Sequence, residues 1–243
     1  MLFPAPPATD RQILHRVLET ARRLGRGGIA VFDLDSTLID NKPRQARILR
    51  EIGELFGVPE LARSTLEHWG SSWDIRGAMS RAGLEDGAIE RIFADAMRVW
   101  AERFFTDEYC VHDCATPGAR EFLARLTAAG ARIVYCTGRP ELMRRGTSES
   151  FGRFGFPVPD GEQVSLLMKP HAKDGDDEFK REVQPALRAL GEVFAAFDNE
   201  PSHVNGYRLG FPEAHVVHLA TDHSGRDVAV AAGIPAIADF LLP

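Results

Sequence analysis

The chain has 243 residues, of which 44% are hydrophobic and 26% charged, and its net charge is −6. This composition is typical of an ordinary globular protein, and the length predicts one large domain or a domain with a smaller appendage. The acidic balance argues against nucleic acid as the main partner, because a phosphate backbone favours a basic surface.

The sequence also argues against a membrane or secreted setting. No apolar stretch approaches the roughly 18 residues that cross a bilayer. The opening stretch, MLFPAPPATD, lacks a basic region followed by an apolar one, so we expect no secretory signal. Three cysteines are too few for a disulfide framework and indicate a reducing, cytoplasmic setting. The sequence leaves the oligomeric state open.

The first predicted element is an amphipathic helix over 10–24, which follows a capping signal at Thr9 and Asp10. Five short apolar runs then predict buried strands, at 29–32, 132–136, 164–168, 193–197 and 215–220. The segments between the later runs have helical patterns, for example 119–130 and 179–191. Strands that alternate with helices predict a Rossmann-like α/β fold, with a mostly parallel sheet covered by helices on both faces.

The interval between the first two predicted strands is too long for one crossover. It predicts helices over 44–57, 59–70, 73–83 and 85–105, separated by glycines and a proline. We therefore expect a Rossmann-like core at 1–42 and 113–243 with a small all-helical insert at 43–112. Long insertions beside a ligand site are often functional, and we expect this one to act as a lid.

Polar side chains follow the first four predicted strands, where each strand ends. They are Asp33, Asp35, Thr137 (beside Gly138), Arg139, Lys169, Lys180, Asp198, Asn199 and Glu200. Because ligands of open parallel sheets bind outside the carboxyl ends of the strands, we expect these residues to converge. Mg²⁺ usually takes one or two carboxylates beside waters and a substrate phosphate. Asp33 and Asp198, on neighbouring strands, fit that demand.

Four short segments, each near a predicted strand end, carry a resemblance to a known family. They are Asp33-Leu34-Asp35-Ser36-Thr37, Thr137-Gly138-Arg139, Lys180 and Phe197-Asp198-Asn199. In this order they resemble the four motifs of the haloacid dehalogenase-like (HAD) hydrolase superfamily, and the likeness runs from about residue 29 to at least 207. The helical insert resembles the C1-type cap of that family. The resemblance implies a phosphatase that acts on a small phosphorylated metabolite, a phosphomonoester or a phosphoanhydride, with Mg²⁺ as cofactor.

The resemblance also implies roles for the two acids of the first motif. Asp33 would be the nucleophile that forms an aspartyl-phosphate. Asp35 would protonate the leaving oxygen and then activate water, and its backbone carbonyl would contact Mg²⁺. Family members that displace halide lack this second acid, because halide needs no proton. Asp35 therefore favours a phosphatase over a dehalogenase.

The remaining motifs would bind phosphate and metal. Thr137 and the Gly138 amide would hold the phosphoryl oxygens, Lys180 would neutralise their charge and orient Asp33, and Asp198 would complete the Mg²⁺ site. The metal ligands implied are thus Asp33, Asp35 and Asp198.

Two positions leave alternatives open. Lys180 is favoured because it falls in the first turn of a helix predicted to begin near 178, but Lys169 or Lys173 could replace it. Asn199 stands where the family often has a second Asp, and Asn199 or Glu200 could contact the metal through water.

Other residues are given structural interpretations. The stretch 110–114 (CVHDC) is predicted to be a hinge strand, since zinc ligands packed this tightly would strain tetrahedral geometry. Arg139 is predicted to pair with an acid, Cys136 to be a buried thiol, and 221–224 to be a polar loop. Candidates for recognising the leaving group lie in the insert: His68, Trp69, Trp73, Arg76 and Arg81.

Two other functions remain compatible with these motifs. A phosphotransferase or mutase of the same fold would keep Asp33 and Asp35 but exclude water. A non-catalytic regulatory or binding protein would keep the fold alone, although the intact acids and lysine argue against it.

Overall fold

The structure, a computed structural model, describes residue 10 and residues 12–242. The predicted capping residue Thr9, the remainder of 1–9, residue 11 and residue 243 lie outside the described residues. Among the described residues, a parallel sheet forms the centre of the fold, and the strands and helices are numbered along the chain.

The strands are β1 (Gly28–Phe32), β2 (Ile39–Asp40), β3 (Cys114–Ala115), β4 (Arg132–Pro140), β5 (Val164–Lys169), β6 (Glu192–Asp198), β7 (His215–Leu219) and β8 (Ala236–Ile237). Six of them form one parallel sheet in the order β5-β4-β1-β6-β7-β8. The five predicted strands are all present. The short β8 was not predicted, because two residues are too few to show a periodic pattern.

The helices are α1 (Gln12–Leu24), α2 (Lys42–Phe56), α3 (Pro59–Ala62), α4 (Ile75–Arg81), α5 (Asp86–Phe104), α6 (Ala119–Ala128), α7 (Arg144–Phe154), α8 (Asp176–Glu182), α9 (Gln184–Leu190) and α10 (Pro201–Gly210). Between residues 12 and 242, no helix is both long enough and apolar enough to span a bilayer.

One helix prediction was wrong. The segment 179–191 is two helices, α8 and α9, and α8 begins at Asp176 instead of near 178. Pro185 lies in the first turn of α9, where its missing N–H is tolerated. In the middle of a continuous helix the same proline would remove a hydrogen bond. The earlier start of α8 moves Lys180 from the first turn to the second.

Both faces of the sheet are covered, which confirms the predicted fold class. Along β1, Ala30 and Phe32 face one hydrophobic cluster with α1 and α6, whereas Ile29 and Val31 face a second with α8 and α10. All five residues of β1 are buried. A strand buried on both faces has a continuous apolar sequence, as the run at 28–32 does.

The register of β1 against β6 determines which side chains meet at the end of the sheet. Phe32 pairs with Phe197, and their rings stack with centroids 4.7 Å apart. The amide of Asp33 donates to the carbonyl of Phe197 over 2.9 Å. Asp33 and Asp198 therefore follow the same buried pair of aromatic residues.

The insert has its own hydrophobic cluster, whose buried residues run from 46 to 104. It leaves and rejoins the core through β2 and β3, which pair antiparallel as Ile39 with Ala115 and Asp40 with Cys114. The helix predicted over 59–70 is shorter, because α3 ends at Ala62 and a 3₁₀ turn follows. The amide of Thr65 donates to His68 Nδ1 over 3.0 Å and starts that turn.

The prediction of a hinge strand over 110–114 was only partly correct. A 3₁₀ helix covers Glu108–His112, and the strand is limited to Cys114–Ala115. Asp113 between them is buried and makes ion pairs described below.

Two glycines of α7 test the contact between this helix and Asp107, which lies in the segment that leads from the insert back to the core. The amide of Gly146 donates to Asp107 Oδ1 over 2.6 Å, and a Cβ there would lie 2.4 Å from the Asp107 carbonyl oxygen. We expect Gly146→Ala to lower the free energy of unfolding by about 1–3 kcal/mol. Gly152, in the same helix, has open space around its Cβ position, so Gly152→Ala should raise it by about 0.5–1 kcal/mol.

Urea unfolding of both variants measures these changes. Shifts of the same sign at the two positions would contradict the close approach of α7 to Asp107.

Candidate active site

The centre of the candidate site is a buried lysine shared by two acids. Lys180 Nζ lies 2.7 Å from Asp33 Oδ1 and 2.9 Å from Asp198 Oδ2, and it also donates to the carbonyl of Cys136 over 2.5 Å. All four residues are buried. The structure thus brings together the lysine and both acids that the sequence placed at this edge of the sheet.

The other two candidate lysines lie elsewhere. Lys169 Nζ is 2.5 Å from Asp176 Oδ1, and Lys173 is exposed on the following loop. Of the three, Lys180 is the one in contact with Asp33.

Two carboxylates share one ammonium group here, so the cluster keeps a surplus of negative charge. Burial raises the pKa of Asp33 to about 7, and the charge of Asp198 acts in the same direction while Lys180 opposes it. For Asp198, burial is outweighed by the charges of Lys180 and His203, which lower its pKa below the usual range. A further cation beside Asp33 and Asp198 would offset this surplus.

The donor set fits Mg²⁺. In the part of the chain described here, no cluster of three or more His, Cys, Asp or Glu side chains is arranged to hold a metal ion. Mg²⁺ does not require such a cluster, because one or two carboxylates, waters and phosphate oxygens satisfy it. Asp33 and Asp198, which share Lys180, could supply the two carboxylates.

Asp35 is held by a second ion network. Arg139 donates two hydrogen bonds to Asp35, from Nε to Oδ2 over 2.9 Å and from Nη2 to Oδ1 over 2.6 Å. Arg139 and Arg44 both pair with Asp113, whose side chain is fully buried, and Arg44 Nη2 lies 3.9 Å from Asp35 Oδ1. One network of ion pairs therefore joins four segments of the chain: the first motif (Asp35), the insert (Arg44), the hinge (Asp113) and the second motif (Arg139).

This network keeps Asp35 ionised. Burial favours the neutral acid, but the charge and hydrogen bonds of Arg139 and the charge of Arg44 outweigh it, so the pKa of Asp35 falls to about 2. The predicted pairing of Arg139 with an acid is correct, but one of its partners is the acid expected to donate a proton. Sequence reasoning did not find Arg44 or Asp113, because neither belongs to a recognised motif.

A tight turn positions the first motif. Ser36 has φ of 59°, a left-handed conformation that is unusual for a residue other than glycine, and its amide donates to the carbonyl of Ile39 over 2.7 Å. Leu34 is fully buried, so the two acids on either side of it are held by a rigid turn. Thr37 Oγ1 donates to Asn199 Oδ1 over 3.2 Å and ties the turn to the fourth motif.

Thr137 and Gly138 lie at the end of the neighbouring strand. Thr137 is buried, and its Oγ1 accepts from the Arg139 amide over 3.1 Å, which leaves its hydroxyl proton free to donate. A Cβ on Gly138 would lie 2.8 Å from Asp176 Oδ2, so glycine leaves room for the Asp176 carboxylate.

Asn199 and Glu200, the alternative metal contacts, already have partners. Asn199 accepts from Thr37 and donates Nδ2–H to the carbonyl of Asp222 over 2.5 Å. Glu200 accepts from Ser224 and lies 3.0 Å from Arg226 Nη2.

A loop of the insert reaches the core beside this site. The Ser72 amide donates to Asp222 Oδ2 over 2.6 Å, the Ser72 hydroxyl donates to the same oxygen, and Gln45 Nε2 donates to the Ser72 carbonyl over 2.9 Å. The sequence indicated only a polar loop at 221–224. No local pattern could have shown that Asp222 contacts a residue 150 positions away.

These elements enclose a cavity of about 90 Å³. It is lined by Asp33, Asp35, Ser36, Asn41, Trp73, Phe104, Phe105, Thr137, Gly138, Arg139, Met143, Asp176, Asn199, Glu200 and His203. Of the five insert candidates for recognition, Trp73 lines the cavity and Trp69 belongs to the hydrophobic cluster of the insert.

A parallel α/β fold with two acids after its first strand and a third after the neighbouring strand defines a class of hydrolase. The family model of haloacid dehalogenase-like hydrolases matches residues 29–185, which is more than half of the chain. The chain belongs to the haloacid dehalogenase-like hydrolase family.

Known proteins similar to the chain are consistent with this membership. A phosphoglycolate phosphatase of Colwellia psychrerythraea is 24% identical over 148 residues, covering 59% of this chain and 65% of that protein. A phosphoglycolate phosphatase of Pseudomonas putida is 29% identical over 119 residues, covering 46% and 42%. The chain thus spans less than two thirds of the length of either relative.

A solved structure shares the fold. CbbY of Rhodobacter sphaeroides in complex with phosphate is 15% identical, with a TM-score of 0.52, and the match covers 88% of this chain and 94% of that one.

The buried network around Asp113 yields a stability prediction. We expect Asp113→Asn to lower the free energy of unfolding by about 3–5 kcal/mol, because Arg44 and Arg139 would keep buried positive charge without their shared partner. Asp95→Asn is the control, since it breaks an exposed pair with Arg98 and should leave the unfolding midpoint nearly unchanged. Equal midpoints for the two variants in urea would contradict a structural role for the network.

Proposed function

We propose that the chain is a Mg²⁺-dependent phosphatase that hydrolyses a small phosphomonoester through an aspartyl-phosphate on Asp33. The observation that carries the proposal is the contact of Lys180 with Asp33, because Asp33 lines a cavity that Thr137 and Gly138 also line. A carboxylate held by an ammonium group next to hydroxyl and amide donors can attack an electrophilic phosphorus. Phosphatases among the relatives of the chain support the same activity.

In the first step an oxygen of Asp33 bonds to phosphorus while the bond from phosphorus to the leaving oxygen breaks. The leaving oxygen takes a proton from Asp35. Asp35 must carry a proton for this step, so it must first loosen its contact with Arg139. Thr137 and Gly138 donate hydrogen bonds to the phosphoryl oxygens throughout.

In the second step water attacks the phosphorus of the aspartyl-phosphate and releases Asp33. Asp35 accepts the proton of that water, and the ionised carboxylate held by Arg139 is the form suited to do so. Mg²⁺ would be held by Asp33, Asp198 and the backbone carbonyl of Asp35, and when bound it would neutralise phosphate charge.

The insert at 43–112 is proposed to act as a C1-type cap on the core. Its Ser72–Asp222 contact joins it to the core beside the cavity, and Trp73 next to Ser72 contributes to the cavity wall. The cytoplasmic location indicated by the cysteine content stays a prediction.

Replacement of the proposed nucleophile tests the mechanism. We expect Asp33→Asn to reduce phosphate release from an aryl phosphate by roughly 10³-fold or more, because the amide cannot attack phosphorus. Circular dichroism checks that the variant is folded, and Asp95→Asn on the surface should retain parental activity. A variant Asp33→Asn as active as the parent would show that the aspartyl-phosphate mechanism is wrong.

Metal binding can be measured without turnover. Millimolar Mg²⁺ should raise the melting temperature of the parent but not of Asp198→Asn, because a ligand stabilises only the folded state that binds it. Chelation with EDTA should abolish phosphate release, and added Mg²⁺ should restore it. Activity that survives complete chelation would contradict the metal site.

A further inference from the structure

The cavity beside Asp33 has an apolar wall. Trp73, Phe104 and Phe105 of the insert and Met143 of the core line it together with the acids. Phe104 and Met143 are buried, whereas Trp73 is 55% exposed at the rim. A volume of about 90 Å³ is room for several water molecules, and therefore for a phosphate ester with a leaving group of a few heavy atoms.

Each charged side chain that lines the cavity is already paired with another group of the described chain. Arg139 holds Asp35 and Asp113, and Lys169 holds Asp176.

The other three charged residues of the lining are also paired, and Asp33 Oδ1 lies 2.7 Å from Lys180 Nζ. Glu200 lies 3.0 Å from Arg226, and His203 lies within 3.1 Å of both Asp198 and Asp177. Within residues 12–242, every cation of the lining is therefore already paired. If the substrate carried a negative group in addition to its phosphate, that group would find no unpaired cation in the lining. A carboxylate on the leaving group would have to compete with Asp35 and Asp113 for Arg139.

Two polar atoms of the lining make no hydrogen bond among the described residues, Asn41 Oδ1 and His203 Nε2. His203 Nε2 lies 3.0 Å from Asp177 Oδ1, so Asn41 Oδ1 is the one of the two without a polar partner among these residues. Asn41 is 4% exposed, and its Oδ1 is buried without a hydrogen bond. The same side chain lies near Asp35, since it is among the groups that lower the pKa of that carboxyl. Oδ1 is left as an acceptor at a cavity wall, where a buried acceptor is costly unless a donor reaches it.

We infer that the leaving group of the substrate is uncharged, carries a hydroxyl that donates to Asn41 Oδ1, and lays its carbon skeleton on the aromatic wall. This inference rests on the proposed phosphatase function and specifies its substrate class as phosphomonoesters of small uncharged polyols. Carboxylate-bearing phosphates, phosphoglycolate among them, are then poor substrates. The chain would thus differ in specificity from relatives named for phosphoglycolate.

Three phosphate esters with the same number of carbon atoms separate charge from hydrogen bonding. Glycerol 1-phosphate has hydroxyls and no further charge, n-propyl phosphate has neither, and 3-phosphoglycerate has a carboxylate. We expect kcat/KM for glycerol 1-phosphate to exceed that for each of the other two by at least about tenfold. The kcat/KM for phosphoglycolate should be similarly low to that for 3-phosphoglycerate, because both carry a carboxylate.

Variants of the lining test each part of the inference. Asn41→Leu should bring the kcat/KM ratio of glycerol 1-phosphate to n-propyl phosphate close to one. Trp73→Lys places a cation at the rim and should raise kcat/KM for 3-phosphoglycerate relative to glycerol 1-phosphate by at least about fivefold. Leu55→Lys is the matched control, because Leu55 is a similarly exposed residue of the insert outside the cavity lining.

The outcomes separate this inference from the proposed function. Hydrolysis of aryl phosphate with 3-phosphoglycerate or phosphoglycolate preferred over glycerol 1-phosphate would overturn the substrate class and leave the phosphatase intact. Preference for n-propyl phosphate would overturn the role of Asn41. If none of the esters is hydrolysed, including the aryl phosphate, the phosphatase proposal and the substrate class fail together.

Discussion

The ion cluster of Lys180 with Asp33 and Asp198 is the interaction on which the rest of the site depends. Taking these charges out of water is costly, so they are stable there only because each finds partners at close range. The partners come from three elements, β1, β6 and α8. Because Phe32 pairs with Phe197 in parallel register, the two acids that follow them lie side by side. Lys180 comes from the short helix α8, which is separate from α9 near Pro185.

The second network, of Arg44, Asp113, Arg139 and Asp35, connects this centre to the insert. Arg44 lies in the first turn of α2, and Asp113 lies where the chain returns to the core. Arg44 and Arg139 both pair with the buried Asp113 and both lie close to Asp35. The position of the insert and the protonation of Asp35 are therefore physically linked. A movement of α2 away from the core would remove charge from the neighbourhood of Asp35. In the proposed mechanism, that acid needs a proton in one step and must lose it in the next.

The two networks also explain the character of the cavity. In both networks the charged motif residues pair with one another. The part of the cavity wall that remains for a leaving group is therefore mostly apolar, apart from the Asn41 amide and a few other polar groups. The same family of folds can thus place similar acids at the sheet edge and still differ in what it accepts. Under the inference drawn above, specificity would follow from residues of the insert and hinge such as Trp73 and Asn41.

The sequence by itself determined the parallel α/β core, the helical character of the insert and the strand-end location of five of the six proposed site residues, with the sixth, Lys180, in a helix. It could do so because β1 and β6 are buried on both faces and show as continuous apolar runs, and because each motif lies at or just after the end of its strand or in its own helix. Only the tertiary structure decided the partners of those residues. Arg139 lies 104 positions from Asp35, and Arg44 lies 69 positions from Asp113. Periodicity reports only on neighbours within a turn or a strand, whereas these contacts depend on how the insert and the core pack together.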